Sequence, residues 1–299
     1  MSKAIIMPSS SRPGKRRKWY AGTRTFRGVV PWLLVAPVLV YMAVFYAIPV
    51  VSMLLRSLND PGWSLDHYAS LVSDVIFLKV LWITLSTSFV VTLSSLVLGY
   101  PVALALSRAR STAPLILIMI LLPFWTSVLV RSYAWMVLLG RHGVINEALL
   151  ALRLIEGPIR LLNTTMATEI AMTHIMLPYM ILPIANSLRQ IDPSLARAAS
   201  GLGATPWGTF RQVILPLSMP GVGAGGLLVF VLALGIYVTP AMVGGSRDIT
   251  LSMLIAQQAD LLNWGYAATL SAVLLVSALG LIAIAQFLPG VGNAFRMSK

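Results

Sequence analysis

Cysteine is absent from this sequence of 299 residues, which excludes disulfides and thiolate metal sites. Histidine is scarce, and His67, His142 and His174 lie at no metal-ligand spacing. Charged residues make up only 10% of the chain, whereas a soluble domain carries about 25%. Acids are the rarer sign, at 9 against 22 Lys and Arg. No pair of catalytic carboxylates and no Ser/His/Asp triad can be assembled from them. A G-x-x-x-x-G-K-[ST] phosphate loop is also missing. "GVGAGG" (221–226) lacks the lysine and opens an apolar run, where small residues suit close helix packing. Metal, cofactor and hydrolytic roles are therefore not expected on this chain.

What the sequence does contain is apolar length. Hydrophobic residues make up 58% of it, and a bilayer span needs roughly 20 mostly apolar residues. Runs of that length specify helices rather than barrel strands. Six spans are expected, at about 29–55, 76–106, 114–139, 165–188, 219–243 and 267–288. The first is too long for a signal-peptide core and reads as a retained span after a basic tail, 1–28. A second tail follows at 289–299. Pro37, Pro49, Pro101, Pro123, Pro178, Pro183 and Pro240 fall inside spans and predict kinks.

A net charge of +13 would suggest nucleic acid in a soluble protein. Here its distribution follows membrane topology instead. With the N-terminus placed in the cytoplasm, the inner segments hold most of the Lys and Arg, and Asp192 is their only acid. The outer segments mix Arg56, Lys79, Arg141, Arg153, Arg160 and Arg247 with Asp60, Asp66, Asp74, Glu147, Glu156, Asp248 and Asp260. Both termini are then cytoplasmic. Two outer segments suggest short amphipathic helices, one on Ile145, Leu149 and Leu152 with Asn146 on another side, the other on Leu251, Leu254 and Gln258. Each could cover a pathway mouth, meet a partner or rest on the bilayer.

Between spans four and five lies a polar, basic island, "ARAASGLGATPWGTFRQVILP" (196–216). Asp192-Pro193 and Thr205-Pro206 each set a capping residue before a proline suited to a first helical turn. Two helices are expected, about 193–202 and 206–214, separated by Gly203 as a left-handed terminator. Leu195, Ala199 and Leu202 form one apolar edge, and Trp207, Phe210 and Ile214 another. A protein-docking loop, an anionic-lipid-binding loop and a folding spacer all fit this pattern. Helix–turn–helix DNA reading does not, for want of base-reading side chains.

The spacing of this island resembles the EAA loop of binding-protein-dependent ABC importer permeases. Ala198 and Ala199, Gly203, then Val213, Leu215 and Pro216 stand at its positions. Arg197 replaces the usual Glu, and Val213 the usual Ile. "LLPFWTSVLVRSYAWMVLLG" (121–140) and "YVTPAMVGGSRDITLSMLIAQQADLLNWGYAATL" (237–270) resemble the spermidine/putrescine branch of that family. The likeness runs from about 76 to 288, with 189–217 as the coupling loop. It implies an all-α, type-1 ABC permease fold of six transmembrane helices in the bacterial inner membrane. It also implies a cytoplasmic ATP-binding subunit carrying ATP and Mg, a second permease (identical or paralogous) and a periplasmic substrate-binding protein. Membrane lipid is the remaining partner.

Arg131 and Glu169 are the clear ionisable residues inside the spans. They could pair, serve a cargo site or outer gate, or snorkel to the interface. Trp125, Tyr133, Trp135 and Tyr237 could hold an organic cation through their ring faces or simply pack. The expected cargo is a small polar solute of the polyamine type, with ferric iron, an organic acid or a phosphonate as alternatives. An ion-coupled secondary transporter is the rival mechanism, although no inverted repeat is evident. A membrane scaffold without transport is a third reading.

Overall fold

The computed structural model describes residues 29–59, 62–109 and 111–287. Both expected tails, 1–28 and 289–299, lie outside the described residues. Two units are distinguished, Met1–Ser52 and Met53–Lys299. In the first, α1 (Val29–Met42) continues through a π-helical turn (Ala43–Ala47) into the start of α2 (Ile48–Arg56), whose last residues belong to the second unit. Val35–Arg56 is long and apolar enough to cross a membrane.

The second unit follows the expected spans closely at three places. Asp74 caps α4 (Val75–Arg108), its carboxylate accepting from the Ile76 amide at 2.8 Å. Thr164 caps α8 (Thr165–Arg189). The last helix, α14, runs Trp264–Phe287. Before α4 lies the short α3 (Asp66–Ser73).

Two expected spans are broken. The run 114–139 is α5 (Ala113–Leu121), a 3-10 turn (Leu122–Trp125) and α6 (Val128–Leu138), bent by 97°. Pro123 supplies no amide to the helix, and its carbonyl is taken by the Thr126 amide and hydroxyl. Ser127 then caps α6 by accepting from the Leu129 amide. The expected fifth span, 219–243, also differs at both ends. It begins earlier: α10 (Pro206–Thr209), a π-helical turn (Phe210–Ile214) and α11 (Leu215–Gly235) form one rod. The second island helix is thus the foot of this span rather than a separate element. The rod also ends earlier, and α12 (Val238–Val243) follows after Ile236 and Tyr237. Pro240 cannot accept a helix in which its ring meets the Ile236 carbonyl. That carbonyl is satisfied instead by the Ser252 hydroxyl at 2.8 Å.

α8 is the axis of the unit. Met172, Met176, Met180 and Ile184 pack against Val91, Ala103 and Leu106 of α4 and Val229 and Ala233 of α11. The approach to α11 is close. A Cβ on Gly221 would stand 2.5 Å from Ser187 Cβ and 2.8 Å from the Pro183 carbonyl, and one on Gly225 would stand 3.1 Å from Met180 Sδ. The small residues of 221–226 therefore serve helix packing. The two segments expected on the outer side carry short helices, α7 (Val144–Ala151) and α13 (Leu251–Asp260). The Leu251 amide at the start of α13 donates to the Thr84 hydroxyl of α4 at 2.8 Å. Leu251 and Leu270 join Leu71, Phe77 and Val80 in a second cluster.

Candidate functional site

Two regions hold the residues that the sequence singles out. The first is the island. Asp192 caps α9 (Pro193–Gly201) by accepting from the Ser194 amide at 2.8 Å. That amide, the Ser194 hydroxyl and Arg197 hold the Asp192 carboxyl below the ordinary aspartate range. A depressed value means that the cap is present at neutral pH and is lost only as pH falls through that value. At the other end Gly203 has φ +86°. Its amide donates to Ser200 O and the Ala204 amide to Ala199 O, both at 3.0 Å. This is the Schellman closure expected for a glycine terminator.

The island's apolar edges divide into outward and inward parts. Leu195, Leu202 and Trp207 are exposed, Leu202 at 90%. Phe210 turns inward, 5.8 Å from the Tyr100 ring of α4, and Trp207 stacks on it at 5.3 Å. Tyr100 is tied in turn to Ser218 at 2.8 Å. Arg197, Ala198 and Pro216 are exposed, whereas Ala199, Val213 and Leu215 are half-buried. The motif thus mixes a presented surface with residues that seat the rod. One strut escapes the sequence reading: the Arg189 guanidinium donates to Leu106 O at 3.2 Å, across the base of α4. A cleft of about 380 Å³ opens there, lined by Arg108, Arg189, Asp192 and Ala196 among others.

The second region is a furrow along α8. One part of it is an open cavity of about 390 Å³, walled by Val90, Ser94 and Leu98 of α4, Trp135 of α6, and Glu169, Thr173 and His174 of α8. Trp135 Nε1 donates to His174 Nδ1 at 3.3 Å, with the rings 5.6 Å apart. An apolar cavity of about 310 Å³ shares His174 and Leu177 and extends to Pro123 and Ile181. Above Glu169, the Asp248 carboxylate accepts from Thr165 Oγ1 and from the Gly245 amide. Asp248 lies within electrostatic reach of Glu169.

Of the candidate pathway residues, Trp135 and Glu169 line the furrow. Trp125, Tyr133 and Tyr237 are exposed at 76%, 57% and 44% and are not among its walls. Arg131 and Glu169 form no ion pair: Arg131 Nε is buried without a hydrogen-bond partner, and Arg131 acts electrostatically on His174. Its neighbour Ser132 instead links α6 to α12 through Thr239 at 3.0 Å. Thr173 and His174 escape the sequence reading. Glu169 and Thr173 stand four apart on α8 and His174 follows, a small polar patch at helical spacing in an apolar run.

The comparisons with known proteins bear on the family and the fold. The family model for the binding-protein-dependent transport system inner membrane component matches residues 4–287. The spermidine/putrescine transport system permease protein PotB of Salmonella typhimurium is 37% identical over 72% of this chain and 75% of its own. PotB of Escherichia coli is 36% identical over 72% of this chain and 78% of its own. A chain of a bacterial alginate ABC transporter, solved with an alginate pentasaccharide-bound periplasmic protein, superposes with a TM-score of 0.70 at 17% identity. It covers 86% of this chain and 92% of that one. The chain is a permease of ABC importers, a member of the binding-protein-dependent transport system inner membrane component family.

Proposed function

We propose that this permease carries a small organic polycation of the spermidine/putrescine class across the inner membrane, along the furrow beside α8. The observation that carries the reading is Glu169, a carboxylate in the cavity wall of a chain so similar to the PotB permeases. Asp248 adds a second acid above it, and Trp135 offers a ring. Ammonium groups spaced along an alkyl chain suit carboxylates and aromatic faces in turn. ATP hydrolysis belongs to a separate cytoplasmic subunit seated on the exposed Leu202 and Trp207 of the island. A second permease, identical or paralogous, completes the pathway, and a periplasmic binding protein delivers cargo.

The test is uptake by the reconstituted complex. ATP-dependent accumulation of labelled spermidine or putrescine, competed by neither molybdate nor an organic acid, is the expected result. Accumulation of an anion in place of a polyamine would overturn the cargo reading. Transport driven by an ion gradient without ATP would favour a secondary transporter.

Topology is a separate expectation, based on the charge asymmetry. Reporter fusions after residue 150 should lie outside, and those after 110, 205 and 299 inside. An outside signal at 205 would remove the island from reach of any ATPase.

A further inference from the structure

We infer that a basic pocket on the outer face, between Arg141 and Arg160, is the seat for an acidic side chain of the cargo-loaded binding protein. The inference rests on the proposal that such a protein delivers cargo to this chain. The pocket holds about 380 Å³ and is lined by Arg141, Pro158, Arg160, Leu161, Leu162 and Asn163, with no acid among them. Neither guanidinium is hydrogen-bonded or ion-paired to another described residue.

A buried side chain sets the two arginines. Asn146 of α7 is 0% exposed. Its Nδ2 donates to Gly140 O at 3.1 Å and Ile159 O at 3.0 Å, and its Oδ1 accepts from the Ile159 amide at 3.0 Å. The residues that follow these two anchors are Arg141 and Arg160. A single fully bonded amide thus holds two chain segments, and with them two positive charges, around one hollow. Burying an amide is costly unless its partners are in place, so the geometry is fixed before any ligand arrives.

The pocket is also joined to the pathway mouth. Leu161 and Leu162 pack on Leu139, Ala167 and Val243. The Asn163 amide donates to Val243 O at 3.1 Å. Asn163 is followed by Thr164, the cap of the helix that carries Glu169. A protein seated on the arginines is therefore held beside the acids that would receive a cation. Paired guanidinium groups suit a carboxylate through parallel N–H···O bonds. Exposed Ile159 directly precedes Arg160 and sets apolar surface beside its charge, as at a protein interface.

The experiment uses the full permease–ATPase complex in nanodiscs and a binding protein loaded with spermidine. R141Q/R160Q should weaken binding on the order of tenfold or more and flatten its salt dependence. R141K/R160K should recover part of the loss, and both variants should assemble in wild-type yield. Because the chain has no native cysteine, R160C alone should cross-link to the binding protein through a short bifunctional reagent. Wild-type affinity and salt slope in R141Q/R160Q would overturn the inference. So would unchanged affinity for the binding protein together with lost binding of phosphatidylglycerol, which would make the pocket a lipid site. Tight binding of the loaded protein without spermidine uptake would instead refute the cargo reading and leave this one standing.

Discussion

Replacing Gly203 with valine is expected to leave the membrane helices inserted and to cut ATP-driven uptake on the order of tenfold. Gly203 sits at φ +86°, and a Cβ there would meet nothing within 4 Å. The effect is therefore conformational and needs no clash. A β-branched residue is a genuine outlier at positive φ, and the left-handed region costs an ordinary L-residue about 1–2 kcal/mol. That strain opposes the two bonds that end α9, Gly203 to Ser200 and Ala204 to Ala199. The angle between α9 and the rod beginning at Pro206 is then no longer fixed. Gly203→Asn should be milder, because Asn visits this region readily. Gly201→Ala is the control: it too has open space, it lies in the helix, and its φ is ordinary. ATPase binding, hydrolysis and uptake should be measured together on one preparation. Wild-type values of all three for Gly203→Val would show that the island does not transmit the ATPase cycle.

The island was legible because its instructions are local. Asp192-Pro193, Thr205-Pro206 and Gly203 each specify a cap from the residue itself and its immediate neighbours. The spans were legible for a similar reason, since hydropathy accumulates along the chain: among the described residues five helices are long and apolar enough to cross a membrane, and the expected six are reached by counting the bent α5–α6 pair as one. The two breaks were not, because an apolar window averages over them. Their marks were present but small: Ser127 as a cap inside a greasy run, and Pro240 with a carbonyl four residues back that needed Ser252. The burial of Asn146 was hidden for another reason. A helical wheel assigns a polar residue to the outside, yet this one is buried by bonding to segments that only the fold brings near. Leu152, placed on the apolar edge, is exposed instead. The relation of Arg131 to Glu169 was beyond the sequence altogether. Two charges on neighbouring spans fix no rotation of either helix, and the bend at Thr126 re-aims α6.

That separation leads to the second large effect, on Glu169. Glu169→Gln keeps the side chain's volume and removes its charge. Since no cation is paired with it, the change orphans nothing, and folded yield should match the wild type. Cargo binding should not. A hydrogen bond to a charged group contributes about 1.5–3 kcal/mol, so loss of the carboxylate should lower spermidine uptake at subsaturating cargo about ten- to hundredfold. Glu169→Asp should retain part of it. Binding-protein docking is proposed for the separate Arg141–Arg160 pocket, so its affinity for the complex should be unchanged. Arg131 offers the complementary measurement. With its Nε buried and unpartnered, Arg131→Leu removes an uncompensated polar group and should preserve or raise folded yield. If the two residues were instead a buried pair, Arg131→Leu would cost about 3–5 kcal/mol, and adding Glu169→Leu would restore part of it. Additive effects of the two leucine variants on yield are the expected outcome. Wild-type spermidine uptake by Glu169→Gln across cargo concentrations would remove Glu169 from the pathway, and with it the geometric support for a polycation in the furrow.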